Sequence, residues 1–432
     1  MLSFAGTILL GTFALMVPAC TAGDGIRFID ALFTSTSAVC VTGLTVVDTA
    51  RHFTPVGQAV ILCLVQLGGL GIMTFSVVLL LLAGKRISIR GKMLVQDSFA
   101  PHAASEIHSI VKRLVLTTFL IEAMGALLLY VFTPDRTVFA SLFHSVSAFC
   151  NAGFSLKSTN FLEYQHLPGV NLTACALIVL GGLGFFTLIE IGRFFRKHGL
   201  YRISLHSRIV LAISASLILL GIAGFLLFER TNILRAEGLG GLLLIPLFQS
   251  ITARTAGFNT VDFGLLSNAT LFLIILLMFI GASPGSTGGG LKTSTLGVLI
   301  ALAKSRFRGE EAVSLFRRTI PLQVISKAQS VLVAGFVLVT LATLALTYTE
   351  TGIVAYTESR QSFIAILFEV VSAFATVGLS TGITPGLTGA GKLILVLVMF
   401  VGRVGPLSIA TLAGRRVSRG KYRYAEENVM VG

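Results

Sequence analysis

Four short segments that share small or hydroxyl residues and a glycine recur along this chain. In each one the glycine is followed by Leu or Phe and then by a small polar residue. The segments are 35–45 (STSAVCVTGLT), 145–155 (SVSAFCNAGFS), 250–259 (SITARTAGFN) and 370–380 (VVSAFATVGLS). Their glycines are Gly43, Gly153, Gly257 and Gly378, at successive separations of 110, 104 and 121 residues. Because the same polar signature returns at a near-constant period, we expect four equivalent loops arranged as a ring around one axis.

The other polar residues offer little for catalysis. An enzyme needs clustered acid–base or metal-binding side chains, whereas Glu122 is an isolated carboxylate in an apolar stretch. The five cysteines form no CxxC pair and no metal-ligand spacing. Cys40 and Cys150 each lie three residues before a loop glycine, and we interpret them as small packing residues. The chain is therefore not expected to be an enzyme or to carry a bound cofactor.

The composition indicates an integral membrane protein. Hydrophobic residues make up 54% of the chain and charged residues 12%, and the mean hydropathy is +0.89, outside the usual range of soluble domains. Apolar stretches of about 20 residues are long enough to cross a bilayer. They lie near residues 3–20, 58–83, 110–132, 170–192, 206–228, 268–282 continuing through 291–303, 322–347 and 390–413. This pattern predicts eight spans and places both termini on the same side.

The charge distribution orients these spans. One set of loops, 84–113, 190–208, 304–327 and 414–432, carries 22 Lys or Arg against 7 Asp or Glu. Because short cytoplasmic loops are rich in Lys and Arg, we assign this face and both termini to the cytoplasm. The net charge of +14 is thus a sign of topology rather than of nucleic-acid binding. The basic loops either receive a partner protein or only satisfy topology and contact anionic membrane lipids.

Each repeat follows one plan, in which a span, a short segment with the glycine loop and a second span succeed one another. Segments 26–39, 136–149 and 359–374 are too short to cross a membrane and suit re-entrant pore helices. We therefore predict an all-α membrane fold of four helix, re-entrant loop and helix repeats around a central pore. The predicted units are 1–84, 85–195, 196–303, 304–413 and a cytoplasmic tail, 414–432.

A second signature lies 24 to 28 residues beyond the loop glycines. Residues 67–71 and 180–184 both read LGGLG, which is typical of close helix packing through small residues. The third copy instead contains SPGSTGGG at 283–290, which predicts a broken span because proline and glycines interrupt a helix. The segment has one residue too many before Lys292 and lacks a preceding strand pattern, so it is not a nucleotide-binding P-loop. Lys292 and Arg403 lie inside predicted spans, where a charge is a functional candidate.

Taken together, these motifs resemble the Trk/Ktr/HKT superfamily of potassium transporters, and most closely its bacterial Ktr-type membrane subunits. The likeness covers the whole chain, from AVCVTGLT in the first loop and QLGGLG at 66–71 to TARTAGFN at 252–259, the glycine-rich break and YRYAEE at 422–427. It implies an ion-conducting subunit that forms homodimers on a cytoplasmic ring of RCK-type nucleotide-binding regulatory subunits. It also implies sodium as an activator or coupled ion.

The resemblance implies a site for the transported potassium ion. Backbone carbonyls around the loop glycines would replace the hydration shell of the ion. The predicted filter residues are Thr42, Gly43, Ala152, Gly153, Ala256, Gly257, Val377 and Gly378. The predicted gate consists of Ser283, Gly285, Ser286, Thr287, Gly288, Gly289, Gly290 and Arg403. Glu369 and Lys292 are further candidates for shaping the pore potential, whereas His144 is equally a packing group.

Two alternative functions remain. A sodium-conducting or sodium-coupled transporter could have the same architecture. A secondary transporter of an organic solute would use helix breaks for binding, but such carriers usually contain two repeats rather than four.

Overall fold

A computed structural model describes residues 2–23, 25–71, 107–196, 202–353 and 362–405, together with residues 355, 357 and 359. These residues are mainly helical. The strands within them are β1 (Ser314–Leu315) and β2 (Arg318–Thr319), which pair antiparallel. The all-α fold class is therefore confirmed in its coarse form.

The described helices are numbered here in chain order. They are α1 (Leu2–Leu15), α2 (Phe28–Val39), α3 (Thr49–His52), α4 (Pro55–Leu70), α5 (Ile107–Phe132), α6 (Val138–Phe149), α7 (Pro168–Gly182), α8 (Phe185–Arg196), α9 (Leu205–Glu229), α10 (Leu239–Thr252), α11 (Asn268–Phe279), α12 (Thr293–Phe307), α13 (Leu322–Thr351), α14 (Ser362–Ala375) and α15 (Gly389–Val404). Short one-turn 3-10 helices occur in five of the connections.

Three helical segments in the described part of the chain are long and apolar enough to cross a membrane: Leu114–Phe132, Leu205–Glu229 and Leu322–Thr351. The pair α7 and α8 makes a fourth if it is counted as one bent span. The predicted spans 58–83 and 390–413 continue into residues that lie outside the described part. The count of eight spans therefore stays a prediction.

The segment predicted as the span 170–192 is sharply bent in the structure. α7 and α8 meet at an angle of 105°. Gly184 between them has φ +86°, a conformation that glycine adopts without strain. A Cβ on Gly184 would lie 2.5 Å from the Pro284 carbonyl oxygen, and the Phe185 N–H donates to the Gly285 carbonyl at 3.1 Å. The bend thus follows from contact with the helix break at 283–290.

Short helices occupy the segments for which re-entrant helices were predicted. α2, α6 and α14 have 12, 12 and 14 residues, and α10 is their counterpart of 14 residues before the third loop. The C-terminal residues of all four are buried. Each of the four helices therefore ends inside the protein, immediately before a glycine loop.

The helices that follow three of the loops begin at hydroxyl N-caps. Thr54, Ser267 and Thr388 accept hydrogen bonds from the backbone N–H of Gly57, Thr270 and Gly391, respectively. Such caps satisfy N–H groups that a helix start leaves without an intrahelical partner. They fix where α4, α11 and α15 begin.

Glycines let α4, α7 and α15 approach the ends of the short helices. A Cβ on Gly68, Gly181 or Gly402 would meet the carbonyl oxygen of Val39, Phe149 or Phe374, respectively. The packing role expected for the LGGLG glycines is confirmed at these contacts, and Gly402 packs in the same way. α15 also packs against α2, where the Lys392 ammonium lies 2.7 Å from the Asp30 carboxylate. The last and first parts of the described chain are thereby joined.

Candidate functional site: a glycine ring above a helix break

The four loop glycines meet in a closed cycle. A Cβ on Gly43 would lie 2.5 Å from the Ala152 carbonyl oxygen, one on Gly153 2.9 Å from that of Ala256, and one on Gly257 2.5 Å from that of Val377. A Cβ on Gly378 would overlap the Thr42 carbonyl oxygen. Each glycine therefore faces the carbonyl that precedes the glycine of the next loop. Any side chain at these positions would collide with that backbone.

The loops share an unusual backbone conformation. The glycines have φ between +69° and +96°, and the residues two positions earlier also have positive φ. Those earlier residues are Val41 (+56°), Asn151 (+58°), Thr255 (+70°) and Thr376 (+52°). A non-glycine residue in this region is strained, so the surrounding structure must hold the loops in place.

Hydroxyl groups on the short helices provide part of this support. Ser37 and Ser372 accept hydrogen bonds from the N–H of Gly43 and Gly378, both at 3.0 Å. Ser147 donates to the Phe154 carbonyl at 2.8 Å, and Thr252 donates to the Phe258 carbonyl at 2.5 Å. Each short helix is thus bonded to its own loop.

On three of the short helices, the side chain three residues before this hydroxyl also bonds to the loop. Its partners lie after the loop glycine in the sequence. His144 Nε2 lies 3.1 Å from Ser155 Oγ and accepts from the Leu156 N–H. Gln249 donates to Thr260 Oγ1 at 2.9 Å. Glu369 accepts from Ser380 Oγ at 2.5 Å, Thr384 Oγ1 at 2.7 Å and the Thr381 N–H at 3.1 Å. Glu369 is completely buried, and its partners all follow Gly378 in the sequence.

A cavity of about 400 Å³ opens on one side of the ring. All four loop glycines line it, as do Asp48, Asp262 and Lys157. The two carboxylates also accept backbone N–H groups of their own turns. A cation that approaches the ring from this side would pass through a largely polar mouth.

Lys157 connects this mouth to the end of α5 through ion pairs. Its ammonium lies 2.5 Å from Asp135 and 3.3 Å from Glu163. The hydrogen bond from Lys157 lowers the pKa of the Asp135 carboxyl, and the bond to Asp135 raises the pKa of Lys157. Both groups are therefore charged across the neutral pH range.

The break between α11 and α12 lies beneath the opposite side of the ring. Ile280 and Leu291 form a parallel bridge that closes its ends. The Gly289 N–H donates to Thr376 Oγ1 at 2.8 Å, and a Cβ on Gly288 would overlap Thr255 Oγ1. The break is therefore in direct contact with two of the left-handed loop residues.

The same segment is bonded to the neighbouring elements. The Ser283 N–H donates to the Gly182 carbonyl at 3.1 Å, and Thr287 Oγ1 donates to the Gly181 carbonyl at 3.3 Å. Arg403 donates through Nη1 to the Thr287 carbonyl and through Nη2 to the Gly68 carbonyl. Lys292 Nζ donates to the Gly288 carbonyl at 2.6 Å. The break thus contacts the third and fourth loops and α7 directly, and it reaches α4 through Arg403.

The structure brings the sequence-predicted residues into three places. Thr42, Ala152, Ala256, Val377 and the four glycines form the ring; all four residues before the glycines are fully buried. The residues of 283–290, Arg403 and Lys292 lie together beneath it. Glu369 belongs to neither group, because it bonds to residues that follow Gly378 in the fourth loop.

Some contributors were not identified from the sequence. The residues with positive φ two positions before each glycine differ in type, so no shared signal marks them. Lys392 and Asp30 are 362 positions apart, and their pairing has no local signature. The hydroxyls at Ser37, Ser147, Thr252 and Ser372 do recur in the repeated segments, and their alignment could have identified them.

Comparison with known proteins identifies the family of this chain. A model of the TrkH family, described as cation transport proteins, matches residues 7–423. The Ktr system potassium uptake protein B of Vibrio alginolyticus is 38% identical over 439 residues, covering 100% of this chain and 94% of that protein. The Ktr system potassium uptake protein B of Bacillus subtilis strain 168 is also 38% identical, covering 100% of this chain and 95% of that protein.

Two further similarities extend the comparison. The potassium/sodium uptake protein NtpJ of Enterococcus hirae is 36% identical, covering 98% of this chain and 94% of that protein. The crystal structure of the potassium transporter TrkH from Vibrio parahaemolyticus superposes with a TM-score of 0.75 at 18% identity, covering 98% of this chain and 84% of that one. This structural likeness concerns the fold. The chain belongs to the TrkH family of cation transport proteins and is a membrane transporter rather than an enzyme.

Proposed function

We propose that this chain takes up potassium ions through the glycine ring, which acts as its selectivity filter. The observation that carries the proposal is the closed cycle in which each loop glycine faces the carbonyl before the next one. A potassium ion must lose water to enter such a ring, and carbonyl oxygens are suitable replacements. The names of the relatives from Vibrio alginolyticus and Bacillus subtilis, which are potassium uptake proteins, support the choice of ion.

The finer architecture belongs to the same proposal. The chain consists of four repeats, 1–84, 85–195, 196–303 and 304–413, with eight crossings, and both termini and the 414–432 tail lie in the bacterial cytoplasm. The break at 283–290 is the gate, since it lies beneath the ring and its glycines allow several conformations. Arg403 adds a positive charge there that opposes cation passage.

A cytoplasmic partner drives the gate in this proposal. The chain acts as a homodimer, and a ring of RCK-type nucleotide-binding subunits docks on its basic loops. In mild detergent the chain should be a dimer, and an added RCK-type partner should form a larger complex that dissociates as salt rises. Full regulated uptake by this chain alone in liposomes, unaffected by the partner, would contradict the proposal.

Potassium or rubidium uptake by a bacterium that lacks its own potassium uptake systems tests the function. Expression of the chain should restore uptake, and Gly43→Ser and Gly257→Ser should weaken it and increase sodium permeation. Gly386→Ser is the control, because a Cβ on Gly386 meets nothing within 4 Å. If the two loop variants keep wild-type affinity and selectivity, the filter assignment is wrong.

Sodium is the second candidate ion, because the relative from Enterococcus hirae is named a potassium/sodium uptake protein. The same uptake assay separates the two alternatives. Sodium that accelerates rubidium uptake without entering the cell would act as an activator. Sodium that enters with rubidium in a fixed ratio is a coupled ion, and sodium that enters without potassium would make the chain a sodium transporter.

A further inference from the structure

A second cavity, of about 540 Å³, lies beside the helix break, on the side of the ring away from the polar mouth. α9, α12, α13 and the end of α15 contribute to its wall. The apolar part of this wall includes Ile209, Val298, Ile320, Val324 and Val331. An elongated apolar group could lie along these side chains with its surface removed from water.

Several basic side chains belong to the same wall. Lys292, Lys327, Arg403 and His206 line the cavity, and none of the described lining residues is Asp or Glu. This combination of an apolar wall with several basic groups is complementary to an anion that carries a hydrophobic tail.

Among the described residues, Lys292, Lys327 and Arg403 have no carboxylate as an ion-pair partner. Lys292 donates to the carbonyls of Gly288 and Gly289, at 2.6 Å and 3.4 Å, and Arg403 donates to the carbonyls of Thr287 and Gly68. The ion pairs found among the described residues include neither of them, nor Lys327. Neutral carbonyls satisfy these hydrogen bonds but bring no negative charge to Lys292 or Arg403. Lys327 is exposed and free to contact a phosphate.

We propose that this cavity binds an anionic phospholipid of the surrounding bilayer, with its phosphate at Lys327 and Lys292 and an acyl chain along Val298, Val324 and Val331. Both features of the cavity are used by such a ligand, whereas free phosphate would use only the charges. A bound phosphate would also reduce the positive potential beside Arg403. That effect on ion passage rests on the proposed function, but lipid binding itself does not.

Native mass spectrometry of the delipidated full chain in detergent tests the binding without any transport assay. Phosphatidylglycerol should be retained at lower concentrations than phosphatidylcholine. Lys327→Gln should weaken phosphatidylglycerol binding about fivefold, since one basic residue near an anionic lipid contributes about 1 kcal/mol. Val331→Phe should abolish most of the binding by filling the cavity.

Two control variants, matched in type to the test variants, show whether the loss of lipid binding depends on residues of the cavity. Lys304→Gln removes an exposed basic residue of α12, and Val333→Phe enlarges an exposed apolar residue of α13; neither residue lines the cavity. Both controls should bind phosphatidylglycerol like the wild type. Equal retention of the two lipids, no retention of phosphatidylglycerol by the full chain, or equal losses in Lys327→Gln and Lys304→Gln would overturn the proposal. Binding that Lys327→Gln weakens but Val331→Phe leaves intact would indicate a phosphate-only site and would overturn the lipid assignment.

Discussion

At the scale of single residues, a nearly symmetric backbone ring is held by chemically different side chains. The position three residues before each supporting hydroxyl is Thr34, His144, Gln249 or Glu369. All four are buried, but Thr34 bonds only to its own helix, through the Asp30 carbonyl at 2.8 Å. Glu369 makes the largest number of bonds to its loop. The fourth loop should therefore depend most strongly on one side chain.

Replacing Glu369 with Ala should destabilise the fourth loop. The hydroxyls of Ser380 and Thr384 can rotate toward other acceptors, but the Thr381 N–H, 3.1 Å from the carboxylate, cannot. A fully buried donor left unsatisfied costs about 1–3 kcal/mol, and because the Thr381 N–H is only partly buried, we expect a loss near the lower end of this range. We expect a lower melting temperature in detergent and reduced discrimination of potassium from sodium in liposome flux.

The conservative variant separates hydrogen bonding from charge. Glu369→Gln retains one acceptor oxygen for the Thr381 N–H and should keep most of the thermal stability. If the Gln and Ala variants lose selectivity to the same extent while only Ala lowers the melting temperature, the carboxylate acts through its charge instead. The exposed Glu310 provides a Gln control that should change neither measurement.

A pH dependence is expected at the polar mouth. The pKa of Asp135 is lowered by its bond from Lys157, so this carboxylate contributes stability that is present above its unfolded pKa of about 3.9 and is lost as pH falls further. The raised pKa of Lys157 contributes stability below an unfolded pKa of about 10.4 that is lost as pH rises. Between these limits Asp135→Asn should lower the melting temperature slightly.

The effect should be small because the Asp135 side chain is 47% exposed, and exposed ion pairs contribute about 0–1 kcal/mol. Melting curves of the wild type and Asp135→Asn should converge as the pH falls below about 4. A difference that stays constant down to acid pH would show that the amide perturbs packing rather than the ion pair.

At the scale of elements, the recurring sequence patterns predicted the loops and the helix break. They did not predict contacts between elements that are distant in the sequence. The recurring glycine identified the ring positions, and proline with several glycines identified the break at 283–290. The bend between α7 and α8 was missed because 170–192 is uniformly apolar and Gly184 was interpreted as a packing residue. Its cause is the Pro284 carbonyl, which lies 100 positions away in the sequence. No local pattern could place that carbonyl beside Gly184.

This interpretation of the bend predicts a contrast between two glycines. Gly184→Ala should destabilise the protein, since a residue with a Cβ at φ +86° costs about 1–2 kcal/mol and the Cβ would also contact the Pro284 carbonyl. The break at 283–290 should then lose its contact with the bend, so that ion flux without any partner increases. Thermal melting and liposome flux measure the two effects.

Gly192→Ala is the matched control within α8. A Cβ there meets nothing within 4 Å, and alanine favours a helix over glycine by about 1 kcal/mol. The control should melt at the same or a higher temperature with unchanged flux. Equal behaviour of the two variants would argue that Gly184 serves only helix propensity and that the bend does not position the break.

At the scale of the whole molecule, the four similar loops share a single helix break, which contacts them unequally. The break at 283–290 contacts the loop residues Thr255 and Thr376 directly, is bonded to α7 through Gly181 and Gly182, and reaches α4 through Arg403. In the proposed gate, the third repeat supplies the obstruction and the fourth supplies the charge that holds it. A mechanism in which these parts open separately would be at odds with their shared bonds.

The final prediction tests whether Arg403 and the break act as one gate. A fixed positive charge about 5 Å from a cation opposes it by roughly 3 kcal/mol at an effective dielectric near 20. Arg403→Gln should therefore accelerate potassium flux in liposomes by up to about a hundredfold. Deleting residues 286–289 should also accelerate flux. The ends of the break stay joined by the Ile280–Leu291 bridge.

Because both changes remove the same barrier, the double variant should be little faster than the faster single variant. Lys304→Gln, which removes an exposed charge at the end of α12, should leave flux unchanged. If the accelerations of flux in the two single variants multiply fully in the double variant, Arg403 and the break oppose the ion independently. A deletion that inserts and dimerises normally but conducts more slowly would show that the segment supports the ring, and the gate would then have to lie elsewhere along the pathway.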